Sequence, residues 1–125
     1  MVKILMVEDD PFLSSLLKNR LQKEGLEVKN ARDGDEALAM VKSEPFDLML
    51  LDVILPKKSG FEVLEEVRQD PKVGNILTVI ISNLGQPEDV TRGQELGAAD
   101  YFVKAKTSID DLVTQIKAII EQHKK

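Results

Sequence analysis

Ile4-Leu5-Met6-Val7-Glu8-Asp9-Asp10 decides how this chain is read: four aliphatic residues run without a break into three acids. The same construction returns at Leu48-Met49-Leu50-Leu51-Asp52. Short aliphatic runs that stop abruptly mark strands buried on both faces, as in parallel sheets. Carboxylates at the carboxyl ends of two such strands converge where open α/β sheets bind ligands. Clustered carboxylates repel one another and persist where a cation sits among them. The pattern points to a divalent-metal site with one acid free for chemistry.

Outward from these two runs, strand and helix alternate to the end of the chain. Apolar runs at 3–7, 47–51, 77–82 and 100–103 read as strands, and Leu26-Glu27-Val28 alternates like a half-exposed edge strand. Pro11 suits a first helical position, Leu13, Leu16, Leu17 and Leu21 form one stripe, and Gly25 ends that helix. Asp33 with Glu36, Ser59 with Glu62 and Ser108 with Asp111 have capping-box spacing or a near variant. Ile109, Leu112, Ile116, Ile119 and Ile120 share one side of the last helix. The segment from Pro87 to Leu96 is the weakest helix, with Thr91 and Gly93 inside it and only Val90 and Leu96 as large apolar anchors. A central glycine costs a helix about 1 kcal/mol relative to alanine.

Five βα units predict an α/β fold with a doubly wound, five-stranded parallel sheet. The edge character of the second strand favours the order 2-1-3-4-5, as in flavodoxin, over the dinucleotide-binding order. No Gly-rich phosphate loop follows the first strand, which removes the simplest nucleotide-binding reading.

The bulk numbers narrow the function class. A chain of 125 residues without a linker or internal repeat is expected to be one domain, residues 1–125. It is 42% apolar and 31% charged, as soluble globular proteins are. A net charge of −5 argues against direct nucleic-acid binding, which needs a basic face. No apolar stretch approaches the roughly 20 residues of a membrane span. The first residues, Met1-Val2-Lys3, lack signal-peptide anatomy, and the absence of cysteine removes disulfides and thiolate chemistry. A cytoplasmic protein is expected.

Two further strand ends complete the pattern. Leu77-Thr78-Val79-Ile80-Ile81 ends in Ser82, and Tyr101-Phe102-Val103 ends in Lys104, which sends a hydroxyl and an ammonium toward the same edge as the acids. With Val7-Glu8-Asp9, Leu51-Asp52, Pro56 and Gly60 beyond it, Ser82, Gly97-Ala98 and Lys104, the chain resembles response regulator receiver domains, the CheY-like family of two-component signalling, along essentially its whole length. The resemblance implies a flavodoxin/CheY-like (βα)5 fold in which Asp52 accepts a phosphoryl group from a histidine kinase or phosphotransfer protein. It implies Mg²⁺ (or Mn²⁺) held by Glu8, Asp9, Asp52 and the backbone carbonyl of Ile54, with Asp9 a direct ligand and Glu8 acting through water. Ser82 matches the switch hydroxyl, Lys104 the family lysine, and Tyr101 the aromatic switch position. Such a chain is not an enzyme beyond accepting its own phosphoryl group and slowly releasing it. Its output passes through a downstream target protein or a domain outside this chain.

Elementary chemistry supports the same roles. Phosphoryl transfer needs alignment and charge neutralisation more than covalent help from the protein. A lysine pairs with the carboxylate before transfer and with a phosphoryl oxygen after it. Ser82 reaches a phosphoryl group only by moving, so the weak helix and Tyr101 are the expected moving element. Ile54 and Leu84, two residues beyond Asp52 and Ser82, are aliphatic and cannot orient an attacking water, so slow self-hydrolysis is expected. Ala105 stands where the family carries a proline after a cis bond. A cis bond to a non-proline costs about 2.5–4 kcal/mol, which leaves open how Lys104 is aimed.

Plainer readings stand beside these. Asp10 suits a helix cap, Ser82 a turn residue, and Tyr101 an edge-strand aromatic. His123 belongs to a solvated tail, and Lys57-Lys58 suit a solvated loop as well as a site that steers acidic donors. One rival function is a pseudo-receiver, a binding module that acts without phosphorylation; such degenerate modules typically lose the acids or the lysine, all retained here. Another is a Mg²⁺-dependent phosphohydrolase, which wants a second acid beside Asp52, where Val53 and Ile54 stand.

Overall fold

The aliphatic runs and the alternating edge segment form five parallel strands: β1 (Lys3–Val7), β2 (Glu27–Ala31), β3 (Leu48–Leu51), β4 (Leu77–Ser82) and β5 (Asp100–Val103). In this computed structural model, which describes residues 1–123, they lie in the order β2-β1-β3-β4-β5. That is the order expected from the half-exposed second strand. Helices α1 (Pro11–Lys23), α2 (Gly34–Ser43), α3 (Gly60–Gln69), α4 (Pro87–Glu95) and α5 (Ile109–Gln122) connect and follow the strands, with a 3-10 turn at Lys104–Lys106. Lys124 and Lys125, the end of the polar tail, lie outside the described residues.

Strand alternation sorts the core into two layers. Ile4, Met6, Leu48, Leu50, Val79 and Ile81 face α1 and α5, where Leu17, Leu21, Leu112, Ile116 and Ile120 meet them. Leu5, Val7, Met49, Leu51 and Ile80 face the other way, against Leu38 and Val41 of α2 and Phe61, Leu64 and Val67 of α3. Burial on both faces is why these strands read as unbroken aliphatic runs.

The caps lie where their spacing places them. Asp10 accepts from the amides of Phe12 and Leu13, Asp33 from Glu36, Ser59 from Glu62 and Ser108 from Asp111. One expectation is corrected. Leu16 is not part of the buried stripe of α1 and is 43% exposed, while Ser14 is buried in its place. At about 100° per residue, Ser14, Leu17 and Leu21 centre the inward face, and Leu16 falls roughly 130° away from it.

Helix α4 is the thin spot of the structure. Its one buried residue is Gly93. A Cβ there would lie 2.8 Å from Ile80 Cδ1 and 3.1 Å from Tyr101 Cδ2, so backbone approaches sheet directly at this position.

Candidate functional site

Strand register sets the height of every site residue. Val7 of β1 pairs with Leu51 of β3, so Glu8 and Asp52 emerge side by side just above the sheet. The ladder continues past the strands, with Asp52 N–H donating to Val7 O at 3.0 Å and Glu8 N–H to Ala31 O at 2.9 Å. Ser82 pairs with Val103, which puts Lys104 one residue above the Ser82 hydroxyl.

At that edge Glu8, Asp9 and Asp52 each offer a carboxylate oxygen, all within 4.8 Å of one another. Glu8 and Asp52 are buried and Asp9 is exposed. Lys104 Nζ lies 2.7 Å from Asp52 Oδ2 and 2.7 Å from Glu8 Oε1. The other Asp52 oxygen, Oδ1, accepts the Ile54 N–H at 3.1 Å, and Glu8 Oε2 accepts the Asp10 N–H at 3.0 Å.

Charge explains the arrangement. Burial pushes the Glu8 carboxyl above its usual range; contacts with Lys104 and the Asp10 amide pull it back, and the Asp52 charge pushes it further up. Burial alone would lower the Lys104 ammonium, but Asp52 and Glu8 outweigh it and hold its pKa above the ordinary lysine value. Three carboxylates against one ammonium leave negative charge uncompensated.

The donor set suits a hard divalent cation. Glu8 Oε1 is buried and has no hydrogen-bond donor aimed at it; its contact with Lys104 is an ion pair outside hydrogen-bond geometry. The span of the three oxygens matches an oxygen shell about 4–5 Å across, as Mg²⁺ or Ca²⁺ ligand distances of about 2.0–2.6 Å give.

Ser82 and Tyr101 form a second group, joined through Leu84. Ser82 is fully buried, and its Oγ accepts the Leu84 N–H at 3.3 Å. The Tyr101 hydroxyl donates to the Leu84 carbonyl. Burial raises the Tyr101 phenol above its ordinary value, with the Asp89 and Asp52 charges adding and its contact with Ser82 opposing. Leu84 thus connects both hydroxyls through its main chain, a link that its side-chain identity does not announce.

Every described peptide bond is trans, Lys104–Ala105 included, and Lys104 still reaches Asp52. Ile54 is 55% exposed beside the acids. Lys57 and Lys58 face Asp33 and Glu66, so local carboxylates already partner both ammonium groups. His123 is exposed, as expected of a tail residue, with Nδ1 2.9 Å from the Ile119 carbonyl.

Known proteins resemble this one along nearly all of its length. The model of the response regulator receiver domain matches residues 4–117. Transcriptional regulatory protein CpxR of Klebsiella pneumoniae subsp. pneumoniae (strain HS11286) is 42% identical over 122 residues, 98% of this chain and 50% of that protein. The DNA-binding dual master transcriptional regulator RpaA of Synechocystis sp. (strain ATCC 27184 / PCC 6803 / Kazusa) is 32% identical, with the same coverage. This chain therefore spans about half the length of these curated relatives. Among solved structures, the non-phosphorylated HemR receiver domain from Leptospira biflexa superposes with a TM-score of 0.88 at 29% identity, over 96% of this chain and 94% of that one. No helix among the described residues is long and apolar enough to cross a membrane. On the family match and the shared fold together, this chain belongs to the response regulator receiver domains, the signal-transduction modules of two-component systems.

Proposed function

We propose that residues 1–125 form one receiver domain that works as a phosphorylation-dependent switch, with Asp52 accepting a phosphoryl group from a histidine kinase or phosphotransfer protein. The observation that carries this reading is the Asp52 carboxylate at the tip of the middle strand, held by Lys104 and flanked by Glu8 and Asp9. An Asp52 oxygen attacks phosphorus as the P–N bond of a phosphohistidine breaks. The bond's electron pair returns to the imidazole nitrogen, which takes up a proton, and Asp52 is left as an acyl phosphate. Asp9, Asp52, the Ile54 carbonyl and, through water, Glu8 would hold Mg²⁺ or Mn²⁺, which would supply neutralisation of phosphoryl charge.

The chain's own groups then do the signalling. Lys104 exchanges the Asp52 carboxylate for a phosphoryl oxygen. Ser82 leaves the Leu84 amide to donate to another phosphoryl oxygen, which loosens Leu84 and its partner Tyr101. Driving such an element from 1:99 to 99:1 takes about 5.5 kcal/mol. Hydrogen bonds to charged groups supply about 1.5–3 kcal/mol each, so Ser82 and Lys104 together reach the required order. Amide exchange across residues 84–100 tests the switch; an unchanged pattern after phosphorylation refutes it. The signal passes to a target protein or a domain outside this chain, in the cytoplasm. Ile54 and Leu84 give no group to orient water, so the acyl phosphate decays slowly; polar replacements at both positions should speed decay.

Incubation with acetyl phosphate and Mg²⁺, followed by intact-mass measurement, tests the assignment. A stable gain of one phosphoryl group, lost in Asp52→Asn and lost on chelation of the metal, is expected. No gain supports a pseudo-receiver, and catalytic consumption of the donor supports a phosphohydrolase.

A further inference from the structure

Arg68, near the end of α3, commits a partly buried guanidinium to main-chain oxygen. Nε donates to Leu96 O at 2.8 Å, Nη1 to Gly74 O at 2.9 Å and Ile76 O at 2.8 Å, and Nη2 to Gly97 O at 3.0 Å. Two of those four carbonyls follow directly on α4.

The carboxyl end of α4 is built to receive such a group. Gly97 takes φ +85°, its N–H donates to Gln94 O at 2.9 Å, and the Ala98 N–H donates to Gly93 O at 3.0 Å. These are the two bonds of a Schellman motif. They use the amides and leave the Leu96 and Gly97 carbonyls for Arg68. A cation at this end is favoured by the helix dipole. The fit is tight, since a Cβ on Gly97 would lie 3.1 Å from Arg68 Nε.

The amino end of α4 is held differently. Three residues before Pro87 the Leu84 main chain meets the Ser82 and Tyr101 hydroxyls, two neutral contacts, one of them with a group that the proposed chemistry recruits. Charge-assisted hydrogen bonds are roughly twice as strong as neutral ones. Between the two ends only Gly93 is buried, so no large side chain must leave the core for the helix to tilt.

We infer that Arg68 is the pivot of the switch: it fixes the carboxyl end of α4 at Leu96–Gly97, so that release of Leu84 swings the amino end. This positioning role rests on the proposed phosphorylation of Asp52. It makes the moving surface one-sided, with a large displacement near Pro87 that falls to nothing by Ala98.

Amide exchange of the full chain, with and without acetyl phosphate and Mg²⁺, tests it, with phosphoryl gain weighed in the same samples. In the unmodified chain, phosphorylation should speed exchange in residues 84–91 and leave the amides of Leu96, Gly97 and Ala98 protected. Arg68→Lys keeps the charge and loses the fork, and is used because Arg68→Ala risks unfolding. That lysine variant should gain the phosphoryl group normally, exchange Leu96–Ala98 about ten-fold faster at rest, and extend the phosphorylation-dependent change through Ala98. The pivot is overturned if the unmodified chain loses protection at 96–98 together with 84–91, or if Arg68→Lys gives the unmodified pattern. A chain that takes up no phosphoryl group overturns the Asp52 reading and the swing with it. Exchange of resting Arg68→Lys still decides whether Arg68 fixes that end.

Discussion

Helices α3 and α4 cover the same face of the sheet and are attached to it by opposite means. Helix α3 buries Phe61, Val63, Leu64 and Val67 as well as its first residue, Gly60. Helix α4 buries a glycine and is otherwise held at its ends and by exposed contacts, such as Arg92 over the Phe61 ring at 4.6 Å. Burial of large side chains makes a helix part of the cooperative core, whereas end contacts can be exchanged a few at a time. The difference teaches that one helix on this face is anchored by buried side chains and its neighbour is not. Helix α3 stands next to Asp52 and supplies Arg68, and α4 sets its Gly93 against Ile80 and Tyr101.

The largest expected effect breaks the comparison if it fails. Leu64→Ala in α3 removes a fully buried side chain and should cost about 2–5 kcal/mol in urea unfolding. Val90→Ala in α4, at a half-buried position, should cost less than about 1 kcal/mol. Equal costs would mean that α4 belongs to the core as fully as α3 does.

Gly93→Ala sharpens the point, because two effects of known size oppose each other. Alanine gains about 1 kcal/mol of helix propensity. Its methyl group would press on Ile80 Cδ1 and the Tyr101 ring, and overpacking typically costs about 1–3 kcal/mol. Ile80 is fully buried, so moving its Cδ1 displaces packed neighbours and a net loss is expected. The chain has one tyrosine and no tryptophan, so tyrosine fluorescence reports Tyr101 alone and should change as well. A more stable variant with unchanged emission would show that close backbone approach does not set the position of α4.

How much of this was legible in the sequence follows from what each residue touches. The three central strands were legible because burial on both faces erases alternation, the edge strand β2 because it alternates, and the acids because they follow directly on aliphatic runs. The weak helix was legible through Gly93 and its few apolar anchors. Leu16 was misplaced because a leucine count ignores the angle by which it leaves the stripe. Arg68 was illegible: an arginine in the last turn of a helix usually reads as solvated, and its partners here are carbonyls, which carry no side-chain signal. The same holds for Leu84, whose main chain joins Ser82 to Tyr101. How Lys104 reaches Asp52 past Ala105 is loop geometry, which local propensity does not encode.

Tyr101→Phe probes the amino end of α4 with a smaller effect. It deletes the hydroxyl that donates to the Leu84 carbonyl, and should cost about 0.5–1.5 kcal/mol. The exchange of amides near Leu84 should quicken while α3 amides keep their protection. If protection near Leu84 survives, the tie through Tyr101 is not what restrains this end of the helix.

The smallest effect lies on the opposite face, where α1 and α5 are stapled by charge as well as by core. Arg20 pairs with Asp110 and Lys117 with Glu24, whereas the only ion pair from α4 to α3 among the described residues is Arg92–Glu65 at 3.9 Å. The Lys117 hydrogen bond and charge hold the Glu24 carboxyl below the usual value of 4.5, against slight desolvation. A carboxyl lowered on folding contributes stability that is present above its unfolded value and is lost as pH falls through its lower folded value. NMR titration should therefore place the Glu24 midpoint below 4.5 and return it toward 4.5 in Lys117→Met. Because the pair is exposed, its share of total stability is small and fades with salt. A Glu24 midpoint that ignores Lys117 would remove charge from the account of why α1 and α5 stay put, and leave their buried leucines and isoleucines as the whole difference from α4.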